Sequence, residues 1–264
     1  MNIDFNLELP GFSVIVAVVL AALAGMLAAR KIMGPSWLQN HQTAAGLMLS
    51  VSGTLYAVLL GMLVVDAMEV FQDTRTHVEQ EANQLADVYL MAEQFGPQKN
   101  SQLRKLARSY AQEVIEREWP MMAERRLDRN ARMILIDLIR ATEEIEPKNE
   151  RETAIYSVIV QKVYDLRDSR RLRTSAAANQ TPAIEWLVLS VGALITMGFT
   201  FFVAPQSRRT HGVMTLMAAL MIGLNLYLLV QFASPFAGDI SVDPSAFKTD
   251  LELFDQVDGK IPPD

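Results

Sequence analysis

The 264-residue chain contains no cysteine and only three histidines. Disulfides, thiolate metal sites and cysteine nucleophiles are thereby excluded, while the redox compartment stays open. No glycine-rich phosphate loop, GxSxG or HExxH motif occurs, and the paired carboxylates fall on charged helical faces. The expectation is therefore a protein that is not an enzyme and carries no cofactor or resident metal. Positive charge is not in excess: 24 Lys and Arg face 30 Asp and Glu, a net charge of -6. That balance gives no reason to expect a nucleic-acid partner. Strand-type alternation, internal repeats and low-complexity segments are also missing.

What is present is segregation. Half of the residues are apolar and a fifth are charged, and the two kinds occupy separate stretches. Gly11–Ala29 carries no charge and is closed by Arg30 and Lys31. At 1.5 Å per residue such a run is ~28 Å long, about one bilayer core. Its flank holds Asp4 and Glu8 and no base, which argues for a true span rather than a secretory leader. Thr43–Val65 is a second uncharged run. No Pro or Gly follows between Met62 and Phe95, and apolar residues continue at helical spacing through Val70, Ala82, Leu85, Val88 and Tyr89. The spacing predicts one helix from about Thr43 to Gln94, roughly 75 Å long and projecting beyond the membrane. Third and fourth runs cover Ala183–Val203 and Val213–Phe232.

Between the second and third runs lie charged segments with helical periodicity. One is expected to start at a cap on Asn100 or Ser101 and end at Trp119 before Pro120, with Leu103, Leu106, Ala107, Tyr110, Ala111 and Ile115 inward. A second spans Asp128–Ile145, with Ala131, Ile134, Leu135, Leu138 and Ile139 inward. A third spans Glu150–Ala177, with Ile155, Val158, Ile159, Val163, Leu166 and Leu172 inward. In the tail, Asp243-Pro244 reads as a cap plus first helical position, predicting a helix to about Asp255. The chain reads as an all-α polytopic membrane protein. Residues 1–66 hold two spans, 67–182 a helical extramembrane domain, 183–232 two more spans, and 233–264 a tail.

Four spans place the helical domain and both termini on one side. The short loops carry Arg30, Lys31, Arg208 and Arg209, whereas Arg167, Arg170, Arg171 and Arg173 precede the third span. The counts are nearly balanced, so the positive-inside rule does not decide orientation.

On the second helix, Gly46, Ser50, Gly53, Ala57 and Gly61 form one stripe of small residues. Such a stripe lets helices approach closely in lipid, either within one subunit or between subunits. The opposite stripe reads Ala44, Met48, Val51, Leu55, Leu59 and Met62, and at ~100° per residue it runs on into Asp66, Glu69 and Asp73. This is either a lipid-facing stripe leading into a solvated face, or a pore with an apolar constriction and an acidic mouth that attracts cations. Asp73, His77 and Glu81 share metal-ligand chemistry at i, i+4, i+8, but a solvated face is the plainer reading. Asn225 in the fourth run is suited to hydrogen bonding between helices.

Three segments carry a family resemblance: VVDAMEVFQDTRTHVEQEANQLADVYLMAEQF, EWPMMAERR and the tail SPFAGDISVDPSAF. Over roughly residues 45–250 the chain resembles the bacterial bestrophin-like domain family, which is remotely similar to bestrophins. The resemblance implies a pentameric ion channel with a helical cytosolic region, the second transmembrane helix lining a hydrophobic neck. The implied pore residues are Met48, Val51, Leu55, Met62, Asp66, Glu69 and Asp73. The implied partners are the lipid bilayer, inorganic ions and further copies of the chain. The implied location is a bacterial inner membrane, with the helical domain and both termini cytoplasmic. Bestrophins follow their last span with Pro-Phe-Gly and an acidic calcium-binding cluster. Here Pro235-Phe236 is followed by Ala237-Gly238, and Asp239 and Asp243 are the only acids offered for ion binding. Calcium commonly takes six or more oxygens, which this tail does not supply. The alternative to a channel is a non-conducting membrane scaffold or sensor whose helical domain binds a partner.

Overall fold

The structure is a computed structural model that describes residues 9–178, 182–203, 205, 207–238 and 240–259, and no strand occurs among them. The helices are α1 (Leu9–Met33), α2 (Pro35–Met91), α3 (Pro97–Glu113), α4 (Trp119–Ala123), α5 (Arg129–Glu143), α6 (Glu150–Ala178), α7 (Ala183–Phe202), α8 (Arg208–Phe232) and α9 (Ser245–Val257). Helices α1, α2, α7 and α8 are each long and apolar enough to cross a membrane. The chain divides into two compact units. One comprises α1, α2 as far as Val70, α7 and α8; the other begins at Phe71 and includes α3–α6 and α9.

In the first unit, Ala22, Tyr56, Leu60, Leu189, Met197, Ala219 and Ile222 form the core. Helices meet there through a small residue on α7: a Cβ at Gly192 would lie 2.6 Å from the Tyr56 ring. The expected small stripe of α2 does little of this work inside one chain. Gly53 approaches only the Thr196 methyl, and Gly46 and Gly61 face open space. Asn225 donates to the Met221 carbonyl of its own helix at 2.9 Å rather than across helices. At the basic end, Arg30 Nη1 lies 3.1 Å from His211 Nδ1, joining α1 to α8.

Several expected boundaries move for identifiable reasons. The long helix starts at Pro35 instead of Thr43, because Gly34 at φ 76° confines the break to one residue and Pro suits a first helical turn. A 3-10 turn, Ala92–Gln94, ends it. Helix α3 begins at Pro97, so neither Asn100 nor Ser101 caps it. Pro120 does not end the helical path. A π turn at Val114–Glu118 intervenes, with the Trp119 N–H bonding back to the Val114 carbonyl, and α4 continues through the proline. The path closes at Arg125, in left-handed conformation at φ 61°, where the Arg125 and Arg126 N–H groups return to the Met122 and Met121 carbonyls. Asp128 caps α5 by accepting from the Asn130 and Ala131 N–H groups.

In the second unit, Leu103, Ala107, Tyr110, Ala111, Val114, Ala131, Leu135, Leu138, Ile159, Val163 and Leu166 are buried. The inward stripe of α3 continues through Val114 and Glu118, leaving Ile115 half-buried. In α6, Val158 and Leu172 are exposed, contrary to expectation, and the inward stripe runs on through Arg170 and Arg173.

Candidate functional site

Two features stand out from the residues upward. The first is the face of α2 carrying the expected pore positions. Met48, Val51, Leu55 and Met62 are all exposed, Leu55 and Met62 each at 68%. Asp66, Glu69 and Asp73 are exposed as well. In a single chain these side chains line one helix and converge on nothing, since the buried edge of α2 runs instead through Ala45, Tyr56, Leu60, Ala67 and Phe71. Large apolar side chains left uncovered in this way face either lipid or another copy of the chain.

The second feature is a buried charge cluster. Arg173, fully buried, donates from Nε to Glu81 Oε2 at 2.6 Å and from Nη2 to Glu81 Oε1 at 2.9 Å. The same Nη2 donates to Glu118 Oε2 at 2.7 Å. Arg170 donates to the other Glu118 oxygen, and the Tyr110 hydroxyl donates to Glu81. The Arg173 guanidinium also lies 5.4 Å from the Trp119 ring centroid, a favourable cation–π distance. Burial opposes the charge on Arg173, but Glu81 and Glu118 outweigh it and hold its pKa well above the ordinary value. Burial, with Glu81 adding to it, pushes the Tyr110 hydroxyl up. Thus α2, the π turn, α3 and α6 meet on complementary charge, and the π turn delivers Glu118 inward. Glu81 is therefore neither a solvated residue nor a metal ligand with Asp73 and His77. Among the described residues no three His, Asp or Glu side chains gather into a metal-binding group.

Sequence reasoning missed this cluster. The signal was available: Arg170 and Arg173 lie four and seven residues beyond Leu166, on the stripe of α6 that buries Ile159 and Val163.

The tail folds onto the same unit. Trp119 Nε1 donates to the Val242 carbonyl at 3.1 Å, and its ring meets Phe236 edge-on. Phe254 of α9 stacks on Tyr89 with centroids 3.8 Å apart, and Arg108 pairs with Asp255 at 2.7 Å. Asp239 lies outside the described residues. Asp243 accepts from the Ser245 N–H at 2.7 Å, and hydrogen bonding from Ser245 holds its carboxyl below the usual range. Its carboxylate thus supports the start of α9, one residue beyond the predicted first helical position.

Comparison with known proteins bears on the whole architecture. The bestrophin-like domain family model matches residues 16–247. No curated protein matches the chain. A crystal structure of a bacterial bestrophin homologue from Klebsiella pneumoniae superposes with a TM-score of 0.68 at 12% identity, covering 94% of this chain and 100% of that one. A point variant of the Klebsiella pneumoniae homologue gives 0.68 at 11% identity over 93% and 99%. A point variant described only as a membrane protein gives 0.70 at 12% over 94% and 99%. At these identities the likeness establishes a shared fold.

Proposed function

The chain belongs to the bestrophin-like domain family, and from that membership we propose that it forms an oligomeric ion channel whose pore is lined by α2. One observation carries the reading. Of the four spans, α2 is the least covered by its own chain: 11% of its most apolar stretch is buried, against 17% to 28% for the others. Its exposed arc holds both the apolar stripe through Leu55 and the acids that follow it. Copies arranged around an axis, five by analogy with bestrophins, bring Met48, Val51, Leu55 and Met62 into a narrow apolar neck. Such a neck gates by dewetting. Asp66 and Glu69 then form an acidic mouth that gathers cations, with Asp73 farther along the same helix. Gly46, Ser50, Gly53, Ala57 and Gly61, with little to pack against in one chain, serve contacts between subunits. The assembly sits in a bacterial inner membrane with its helical unit and termini in the cytoplasm, an orientation that a C-terminal topology reporter reads directly.

The test is flux. Purified protein in liposomes is expected to pass monovalent ions above the rate of empty liposomes, and native mass spectrometry to give one closed oligomer. A monomer without flux overturns the channel reading and leaves a scaffold or sensor whose helical unit binds a partner.

A further inference from the structure

Between α5 and α6 lies a cavity of about 580 Å³, well inside the size range of small-ligand sites. Its apolar floor includes Leu135, Ile136 and Ile139. Around this floor stand five arginines, Arg129, Arg132, Arg167, Arg170 and Arg171, against two aspartates, Asp128 and Asp168. The acids are already engaged. Asp128 caps α5, and Asp168 pairs with Arg167 at 3.3 Å. Among the described residues Arg129, Arg132 and Arg171 have no carboxylate partner.

The decisive residue is Arg170. It is 9% exposed, it lines the cavity, and its Nη2 is taken by Glu118 and the Asp128 carbonyl. Its buried Nε has no hydrogen-bond partner among the described residues. A donor left dry is costly, and more so on a cation, so Arg170 is under-satisfied where it borders the cavity. We propose that the α5–α6 cavity binds a small free anion with an apolar body: a carboxylate or phosphate head held by Arg170 with Arg132 and Arg171, and a short chain lying on Leu135, Ile136 and Ile139. Arginine forks match both heads geometrically, and an unoccupied excess of three guanidiniums favours an anion over a neutral ligand. A second copy of the chain would have to place an acid and an apolar side chain together in the same recess, and binding of a free small molecule separates the two cases.

The experiment titrates decanoate, decyl phosphate and decanol into the full chain in nanodiscs of zwitterionic lipid, following heat of binding and the thermal midpoint. Decanoate and decyl phosphate are expected to bind saturably and raise the midpoint, with decanol far weaker. Arg132→Gln and Arg171→Gln should each weaken binding by about tenfold, the scale of one charge-assisted contact. Both side chains are exposed, so helicity and oligomer size should hold. Ile136→Trp should block binding by filling the floor without changing charge. Equal binding of decanol, unaltered binding in both arginine variants, or no binding at all overturns the proposal. The last result together with dissociation of the oligomer by Arg132→Glu would identify the cavity as a subunit contact. None of these readouts depends on conduction.

Discussion

Arg173 of α6 and Glu81 of α2, ninety-two residues apart in the chain, form a two-point ion pair with no solvent exposure on either side chain. Each charge alone would be prohibitively costly in that position, and each is matched: Glu81 also accepts from Tyr110, and Arg173 also reaches Glu118. The pair fixes the rotation of α6 against the second half of α2, since any other register would strand a charge in the core.

Arg173→Met is expected to be among the most damaging single changes in the helical unit. It strands Glu81 and half of Glu118, and loss of one partner from a buried pair costs roughly 3–5 kcal/mol. Arg173→Lys should recover only part of this, because one ammonium cannot reproduce the fork that spans two carboxylates. Thermal unfolding followed by circular dichroism checks the order: wild type above lysine, lysine above methionine. Equal midpoints for the three would show that the pair is energetically silent.

Asp250 gives the second expectation. It sits in α9 at 7% exposure, its Oδ2 has no partner among the described residues, and burial, reinforced by Asp87, raises its pKa to about 7. Asp87 is itself paired with Lys162 at 2.7 Å. A carboxyl raised in the folded state keeps its proton there while the unfolded chain has lost it. Its contribution therefore falls as pH rises from about 4 to about 7, by on the order of 4 kcal/mol, and is flat above. Asp250→Asn removes this loss. The variant should be more stable than wild type at pH 8 and nearly equal to it at pH 4. Comparing the two proteins cancels groups such as Asp243, whose lowered pKa acts in the opposite direction. A stability difference independent of pH would contradict the assignment.

Gly192 and Tyr56 give the third. A Cβ at position 192 would lie 2.6 Å from the Tyr56 ring, so Gly192→Ala should cost about 1–3 kcal/mol through overpacking. Tyr56→Leu should restore most of the loss, visible as a coupling in a double-mutant cycle of thermal stability in detergent. Tyr56→Phe should be neutral or stabilising, because the buried hydroxyl lacks a partner among the described residues. Additivity of the Gly192→Ala and Tyr56→Leu effects would mean that the two residues do not meet.

Sequence periodicity disclosed the spans and helices well, because lipid and core both demand uninterrupted apolar stripes. The uncharged run after Thr43 and the absence of Pro or Gly beyond Met62 made α2 legible as one helix, and the apolar spacing after Asp128 made α5 legible, though not the capping role of Asp128 itself. Pro120 misled, because a proline ordinarily ends a helix and only the π turn at Val114–Glu118 lets the path continue. The buried arginines were hidden for a different reason. A periodicity reading assigns charge to the outside, and the compensating acids at Glu81 and Glu118 lie on other helices. The cavity between α5 and α6 was illegible in principle, since a concave surface is a property of packing. The face of α2 was read from the sequence as a continuous stripe, and whether that stripe conducts is a property of the assembly.

The last expectation concerns that stripe. If Asp66 and Glu69 ring a pore, every added subunit multiplies the negative charge at its mouth. Like charges around a cleft raise the local counter-ion concentration by roughly tenfold or more. Asp66→Asn keeps the shape and removes one charge per copy, so the oligomer should persist while the reversal potential under a salt gradient shifts toward anions. Leu55 is 68% exposed in one chain, so Leu55→Ser removes little packing there. In the neck it would admit water where an apolar ring excludes it, and basal leak should rise. The two substitutions sit on one face of α2, opposite the small residues that would mediate contact between subunits. Selectivity should therefore respond at Asp66, leak at Leu55, and assembly at Gly53, for which a bulky replacement is the control. A conducting protein in which Asp66→Asn and Leu55→Ser both leave flux and selectivity unchanged would have its pore on another face.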